Sequence, residues 1–129
     1  MTTIDTPRSA GSDTAEAVVA RFNEAFNRHD VDAAMALMTP DVVFEGTAPP
    51  DGDRYSGARA VRGAWEALFA ASPDASFEAE ELITSGDRVV VRWIYHWGGT
   101  QNAAGHVRGV DVFRVRDNLI AEKLAYVKG

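Results

Sequence analysis

The spacing of apolar side chains changes from a helical to an extended period near Ala75, and this change constrains the fold of the chain more than any other feature. Before Ala75, apolar residues recur every three or four positions, as on one face of an amphipathic helix. After it, short runs rich in β-branched and aromatic residues follow one another. Helices followed by consecutive strands, without β-α-β alternation, predict an α+β domain with an antiparallel sheet.

Three helices and five strands are expected. The first helix carries an apolar stripe that includes Phe22 and Phe26, the second is stopped by Pro40, and the third carries Trp65 and Phe69. Their predicted N-terminal boundaries are, in chain order, Ser12 or Asp13, Asp30 and Gly57. The predicted strands are residues 41–45, 77–84, 88–97, 107–115 and 119–127.

The connections complete the predicted domain organisation. The segments 85–87 and 116–118 have the composition of hairpin turns, whereas 98–105 is longer and glycine-rich and is expected to form a mobile rim. Residues 1–11 are polar and include Pro7 and Gly11, which predicts a disordered tail. Residues 12–129 then form one domain, since the chain of 129 residues is near the usual length of one.

Composition excludes several function classes. The chain has no cysteine, so disulfides, thiolate metal sites and cysteine nucleophiles are excluded. Its net charge of −6 and scattered basic residues argue against nucleic acid as a partner. No apolar run approaches the roughly 20 residues of a membrane helix, and a cytoplasmic protein without a membrane partner is expected.

No cofactor or metal site is predicted. The sequence contains no phosphate-binding loop, dinucleotide fingerprint or G-x-S-x-G nucleophile motif. The three histidines, His29, His96 and His106, lack the spacing of metal ligands.

Four segments carry a pattern typical of a known family: residues 21–44 with the His29-Asp30 turn, 57–62 at the start of the third helix, 86–93 in a central hairpin, and 108–122. In this order they resemble the SnoaL-like/ketosteroid isomerase-like domain proteins of the NTF2-like superfamily. The resemblance implies a cone of three N-terminal helices packed on a strongly curved antiparallel sheet around one pocket, often as a homodimer. Because the superfamily includes cyclases, isomerases, dehydratases, epoxide hydrolases and non-catalytic binding modules, the fold alone does not fix the function.

Asp111 is the leading candidate for a catalytic residue. Strand alternation places it on one face with Val107, Phe113 and Val115, and these apolar neighbours predict that the face is buried. A carboxyl group there is costly to ionise unless it is hydrogen-bonded, and it could act as a base or as a hydrogen-bond donor to an oxyanion. The resemblance places it at the catalytic aspartate of the cyclases and the oxyanion-hole aspartate of the isomerases. The alternative is a structural aspartate bonded to a neighbouring Tyr or Trp.

Other residues required by related enzymes do not match. The phenol donor of the isomerases falls at Phe22, which has no hydroxyl, and their proton-shuttling aspartate falls at Gly46. Glu45 is adjacent to that position but is expected to point to the opposite face. An aspartate of the epoxide hydrolase relay falls at Ala125. The standard isomerase and epoxide hydrolase mechanisms are therefore not expected.

His96 is the second catalytic candidate, as an electrophilic partner for a carbonyl oxygen, with a phenol as the alternative. A structural strand histidine is the competing interpretation. The sequence leaves open which face of strand 88–97 lines the pocket. The resemblance to the isomerases favours the His96 side, which would leave the stripe of Trp93, Tyr95 and Trp97 for a dimer interface. The predicted pocket residues are Phe22, Phe26, Tyr55, Trp65, Phe69, Phe113 and Tyr126.

The resulting hypothesis is a cofactor-independent isomerase- or cyclase-type enzyme that uses Asp111 for proton transfer on a small hydrophobic carbonyl-bearing or polycyclic substrate. The alternatives are a non-catalytic binding protein for an apolar metabolite and a dimeric interaction module. A homodimer formed through the sheet is the expected assembly.

Overall fold

A computed structural model describes residues 14–97 and 105–128 of the protein. The predicted tail and most of the predicted rim lie outside these residues, as do the proposed helix caps Ser12 and Asp13. The described elements are α1 (Ala15–Asn27), α2 (Val31–Met35), β1 (Met38–Glu45), β2 (Arg54–Ser56), α3 (Ala58–Ala71), β3 (Ser76–Ser85), β4 (Arg88–Trp97), β5 (Gly105–Arg116) and β6 (Leu119–Val127). None of these helices is long and apolar enough to cross a membrane.

The strands form one curved, mixed sheet in the order β2-β1-β6-β5-β4-β3. Strands β3 to β6 form the predicted antiparallel meander, but β1 runs parallel to β6. The register shifts in the β1–β6, β3–β4 and β5–β6 pairs, and such irregularities increase the local twist and bend of a sheet. The predicted α+β class with three helices packed on a curved sheet is confirmed, and the sheet is mixed instead of wholly antiparallel.

Two boundaries differ from the predictions around β1 and β2. The second helix ends at Met35, and Pro40 lies inside β1, within the register irregularity between Met38 and Val43. Proline is tolerated in a strand at such an irregularity, so Pro40 does not mark the end of a helix here. The three-residue strand β2 was not predicted, since it is too short to show alternation.

The core lies between the helices and the inner face of the sheet. The Phe22 ring of α1 is fully buried, with its centroid 5.2 Å from that of Trp65 on α3 and 5.9 Å from that of Phe113 on β5. The other fully buried large side chains join these three layers: Val18, Val19, Val42, Val61, Val89, Val91 and Ile120. Phe22 therefore connects both long helices to the sheet.

Polar contacts fasten the end of α1 to the start of β3. The Asn27 side chain donates to the Phe77 carbonyl at 2.7 Å and accepts from the Phe77 amide at 2.8 Å, as a neighbouring strand would. Next to it, His29 Nε2 lies 2.7 Å from the Ala75 carbonyl, and its ring stacks on Phe69 at 4.2 Å. These contacts occupy backbone groups of an edge strand and fix the helix over the sheet.

An exposed ion pair joins β1 to β5 across the intervening strand β6. Arg116 Nη2 donates to Asp41 Oδ1 at 2.6 Å, and this hydrogen bond holds the pKa of Asp41 below its ordinary value.

We predict that Arg116→Gln raises the pKa of Asp41 toward the ordinary value of about 3.9. Because the pKa of Asp41 is depressed only in the folded state, the contact stabilises the fold at pH values above the ordinary pKa of an aspartate. This contribution is lost as the pH falls through the depressed pKa of the folded state.

An NMR titration of the side-chain carboxyl carbons measures this change. Arg62→Gln is the matched control, because Arg62 pairs with Asp32 on a different part of the surface. An Asp41 titration that is the same in Arg116→Gln and in the parent protein would contradict the prediction.

Candidate functional site

Asp111 and Lys123 form a buried ion pair on the inner face of the sheet. In the β5–β6 register Phe113 faces Lys123 and Asp111 faces Ala125, so Asp111 and Lys123 are diagonal neighbours on one face. Lys123 Nζ lies 3.2 Å from Asp111 Oδ2, and the two side chains are only 8% and 7% exposed. The predicted inward orientation of Asp111 is confirmed.

Three aromatic rings enclose the ammonium group. Phe44 on β1 and Phe113 on β5 are the register partners of Lys123 on its two sides, and Phe26 lies above it on α1. Lys123 Nζ is 4.9, 5.7 and 5.9 Å from the ring centroids of Phe44, Phe26 and Phe113, respectively. Ring faces at these distances attract a cation, which offsets part of the cost of burying it.

The second carboxyl oxygen of Asp111 has no protein partner. Asp111 Oδ1 is buried and makes no hydrogen bond within residues 14–97 and 105–128. A buried carboxyl oxygen without a donor is destabilising, and native proteins keep few such atoms. Asp111 therefore has one oxygen bound to Lys123 and one oxygen, Oδ1, without a hydrogen-bond donor among the described residues.

Two cavities meet at this ion pair. The aromatic cavity, about 290 Å³, lies between α3, β1, β2 and the inner sheet and includes Tyr55, Trp65 and Tyr95 in its wall. The side cavity, about 270 Å³, lies between α1 and strands β3 and β4 and has Asn23 and Asn27 at its edge. The residues that line both cavities are Phe26, Phe77, Trp93, Asp111 and Lys123.

The inner face of β4 is the one that carries Trp93 and Tyr95. Val91 faces Asp111 and Trp93 faces Gly109 in the β4–β5 register, so the odd-numbered residues of β4 share the face of Asp111. His96 is exposed on the opposite face, with Nε2 3.3 Å from Glu78 Oε1. The inward placement of His96 is therefore wrong, and Trp93 and Tyr95 lie on the inner face and line the aromatic cavity.

Six of the seven predicted pocket residues line the cavities or pack beside them. Phe22 lines the side cavity, Tyr55 and Trp65 line the aromatic cavity, and Phe26 lines both. Phe69 and Phe113 pack around these residues as parts of the core.

Tyr126 lies outside the pocket. It is 56% exposed, because the alternation of β6 directs Lys123 and Ala125 inward and Tyr126 outward. The inclusion of Tyr126 among the pocket residues is wrong.

Lys123 is the functional candidate that the sequence prediction missed. Its signal was the sequence Ala121-Glu-Lys-Leu-Ala125, in which alternation places Lys123 on one face with two alanines. A lysine that shares a strand face with small residues can be buried there, since the alanines leave room for its long stem.

Gly109 determines where the indole of Trp93 lies. A Cβ atom at Gly109 would come within 2.5 Å of the Trp93 ring and 2.3 Å of the Tyr126 carbonyl oxygen, so only glycine fits beneath the indole. The indole Nε1 groups of Trp93 and Trp65 are buried without a partner among the described residues. The same residues contain no group of three or more His, Asp or Glu side chains arranged to hold a metal ion.

Comparison with known proteins identifies the family. The family model described as a SnoaL-like domain matches residues 19–123. The chain belongs to the SnoaL-like family. A comparison with curated protein sequences found no significant match.

Solved structures agree with this assignment. An NTF2-like protein of unknown function from Mesorhizobium loti is 38% identical, with 92% of this chain and 97% of that chain covered and a TM-score of 0.76. A protein from Shewanella putrefaciens, provisionally described as a SnoaL-like polyketide cyclase, is 15% identical, with 93% and 83% covered and a TM-score of 0.77. A protein from Xanthomonas campestris, provisionally described as a polyketide cyclase, is 24% identical, with 88% and 90% covered and a TM-score of 0.69.

The ion pair predicts a specific stability pattern. Lys123→Met leaves the Asp111 carboxylate buried without a counter-charge, and we expect it to lower the free energy of unfolding by about 3–5 kcal/mol. Asp111→Asn combined with Lys123→Met removes both charges, so the double variant should lose clearly less than the sum of the two single losses. Urea unfolding at neutral pH measures all three values.

Lys128→Met is the matched control, because Lys128 is the only other lysine of the chain and is exposed. We expect its effect to stay within about 0.5 kcal/mol. A Lys123→Met variant as stable as the Lys128→Met variant would show that the buried pair does not contribute in this way.

Proposed function

We propose that this SnoaL-like protein is a cofactor-independent acid/base enzyme of the isomerase or cyclase type, acting on a small hydrophobic carbonyl-bearing or polycyclic compound. The observation that carries the proposal is the unpartnered Asp111 Oδ1, in a residue whose other oxygen is bound to Lys123 and which lines two cavities. The relatives described as cyclases are only 15% and 24% identical, so their similarity supports the shared fold and not the activity. The proposal therefore depends on the geometry of Asp111.

Each member of the pair has a role in the proposed reaction. Asp111 Oδ1 removes a proton from the carbon next to the carbonyl group and returns it at another position, as a general base and then a general acid. Lys123 has three N–H donors and directs one to Asp111, so another can stabilise the oxygen of the enolate as its charge develops. Lys123 thus takes the electrophilic role that was expected of His96.

The dimensions of the aromatic cavity limit the substrate. Its volume of about 290 Å³ is near the lower end of the range for small-molecule sites. The rings of Tyr55, Trp65 and Tyr95 in its wall favour a flat, apolar molecule. These features support a substrate with a single ring or two fused rings.

Proton exchange on a probe ketone tests the proposal. The protein is incubated with 2-tetralone, a small bicyclic ketone, in deuterated buffer, and loss of the α-proton signals is followed by NMR. We predict that the protein accelerates the exchange and that Asp111→Asn slows the catalysed rate by about a hundredfold or more, which is the usual contribution of a general base.

Asp87→Asn is the matched control, because Asp87 is an exposed turn residue outside both cavities, and it should exchange at the parent rate. Undiminished exchange in Asp111→Asn would overturn the assigned role. Saturable binding of the ketone, detected by Trp fluorescence, with no exchange would favour the alternative of a non-catalytic binding protein for an apolar metabolite.

A homodimer formed through the outer face of the sheet is also proposed. Tyr126 is the most exposed large hydrophobic residue of the described chain, and with Val110 it lines a shallow outer depression between Arg92 and Arg108. Removal of this apolar surface from water would favour association.

We predict that the protein sediments as a dimer and that Tyr126→Glu shifts it toward the monomer.

Sedimentation velocity at several concentrations measures the assembly. Ala70→Glu introduces the same charge at an exposed position of helix α3 and should leave the assembly unchanged. A parent protein that sediments as a monomer at all concentrations would exclude the dimer.

A further inference from the structure

Lysine is used at only two positions in this chain, and one of them is the buried ion pair. Apart from three histidines, all other basic residues are arginines, including those of the exposed pairs Arg92–Glu81, Arg108–Glu80 and Arg116–Asp41. Arginine keeps its proton in proteins, whereas the lysine amine can give up its proton and act as a nucleophile. The inner face thus carries the one type of basic side chain that supports covalent chemistry with a carbonyl compound.

The position of the amine fits that chemistry. Lys123 lines both cavities, and its Nζ faces three aromatic rings and lies 3.2 Å from the Asp111 carboxylate, which can accept its proton. Lysines that form Schiff bases are typically desolvated in such apolar sites. The exposed Lys128 has no such enclosure.

We propose that Lys123 forms a Schiff base with an aldehyde or ketone bound in the aromatic cavity. The inference rests on the proposed function only in placing a carbonyl compound in this cavity. It adds a covalent intermediate that general acid/base catalysis does not require.

The steps balance without an oxidant or reductant. A proton passes from the Lys123 ammonium to Asp111, and the amine nitrogen forms a bond to the carbonyl carbon. Asp111 gives its proton to the carbonyl oxygen and takes one from the nitrogen, which leaves a carbinolamine. The C–O bond then breaks, and the hydroxyl leaves as water with the proton that Asp111 holds. A protonated imine remains beside the Asp111 carboxylate.

The charges of the buried site are the same before and after the reaction. The ammonium and the protonated imine each carry one positive charge, and each faces the Asp111 carboxylate and the rings of Phe26, Phe44 and Phe113. The environment that accommodates the ammonium therefore also accommodates the intermediate.

Reductive trapping tests the inference. The full-length protein is incubated with benzaldehyde and sodium cyanoborohydride, and the modified residue is located by intact mass and peptide mass spectrometry. We predict one benzyl group on Lys123, formed well before any label on Lys128 or the N-terminal amine. Asp111→Asn should slow the labelling of Lys123 by about a hundredfold.

Two variants serve as controls. Lys123→Arg keeps the positive charge but has no nucleophilic amine, and should lose the fast label, whereas Lys128→Arg should keep it. Because Lys123 and Lys128 compete within the same parent molecule, the comparison remains valid even if Lys123→Arg fails to fold.

The outcomes separate this inference from the proposed function. Equal or slower labelling of Lys123 relative to Lys128 overturns the Schiff base, and the function stands if ketone exchange still depends on Asp111. Fast labelling of Lys123 without any ketone exchange supports the Schiff base and overturns the proton-transfer function.

Discussion

The structure of the site depends on the cost of burying the ion pair between Asp111 and Lys123. An aspartate and a lysine that are each less than a tenth exposed lose most of their hydration, and their mutual attraction at 3.2 Å offsets only part of that loss. The surroundings offset a further part, because the faces of three aromatic rings replace water around the ammonium group. Of the two charged groups, the Asp111 carboxylate keeps one oxygen, Oδ1, without a hydrogen-bond partner among the described residues.

The mixed sheet makes this enclosure possible. The meander of β3 to β6 places Phe113 on one side of Lys123, but the other side would be a free sheet edge without β1. Parallel pairing of β1 with β6 places Phe44 opposite Lys123 and closes that side. The first helix then covers the group with Phe26, while Asn27 fastens the same helix to β3. The features that complete the fold also remove Lys123 from water.

The sequence predicted the parts of the site that local alternation determines. Asp111 lies in a long strand whose alternate residues are apolar on one side, so its inward direction could be predicted from β5 alone. The direction of His96 could not, because β4 has aromatic residues at alternate positions and isoleucine between them. The register with β5 decides the inner face there, and the comparison with the isomerases favoured the wrong side.

Two other features were missed for opposite reasons. The parallel pairing of β1 with β6 joins segments from opposite ends of the domain and leaves no local pattern. The burial of Lys123, in contrast, had a local signal in the sequence, namely its position between Ala121 and Ala125 on one strand face. It was missed because β6 has apolar residues on both faces, and a lysine in such a strand is usually assigned to the exposed one.

The ion pair also explains how the site could work without the isomerase residues. The resemblance to the isomerases implies their phenol donor at Phe22, which is fully buried against Trp65 and Phe113, so that residue contributes packing and no hydrogen bond. A neutral donor is not needed there if an ammonium group faces the reacting atoms. In the proposed proton transfer, the negative charge moves from Asp111 to the enolate oxygen while Lys123 remains its counter-charge. One positive and one negative charge are present before and after the transfer, so the rings and the sheet need not rearrange as the reaction proceeds.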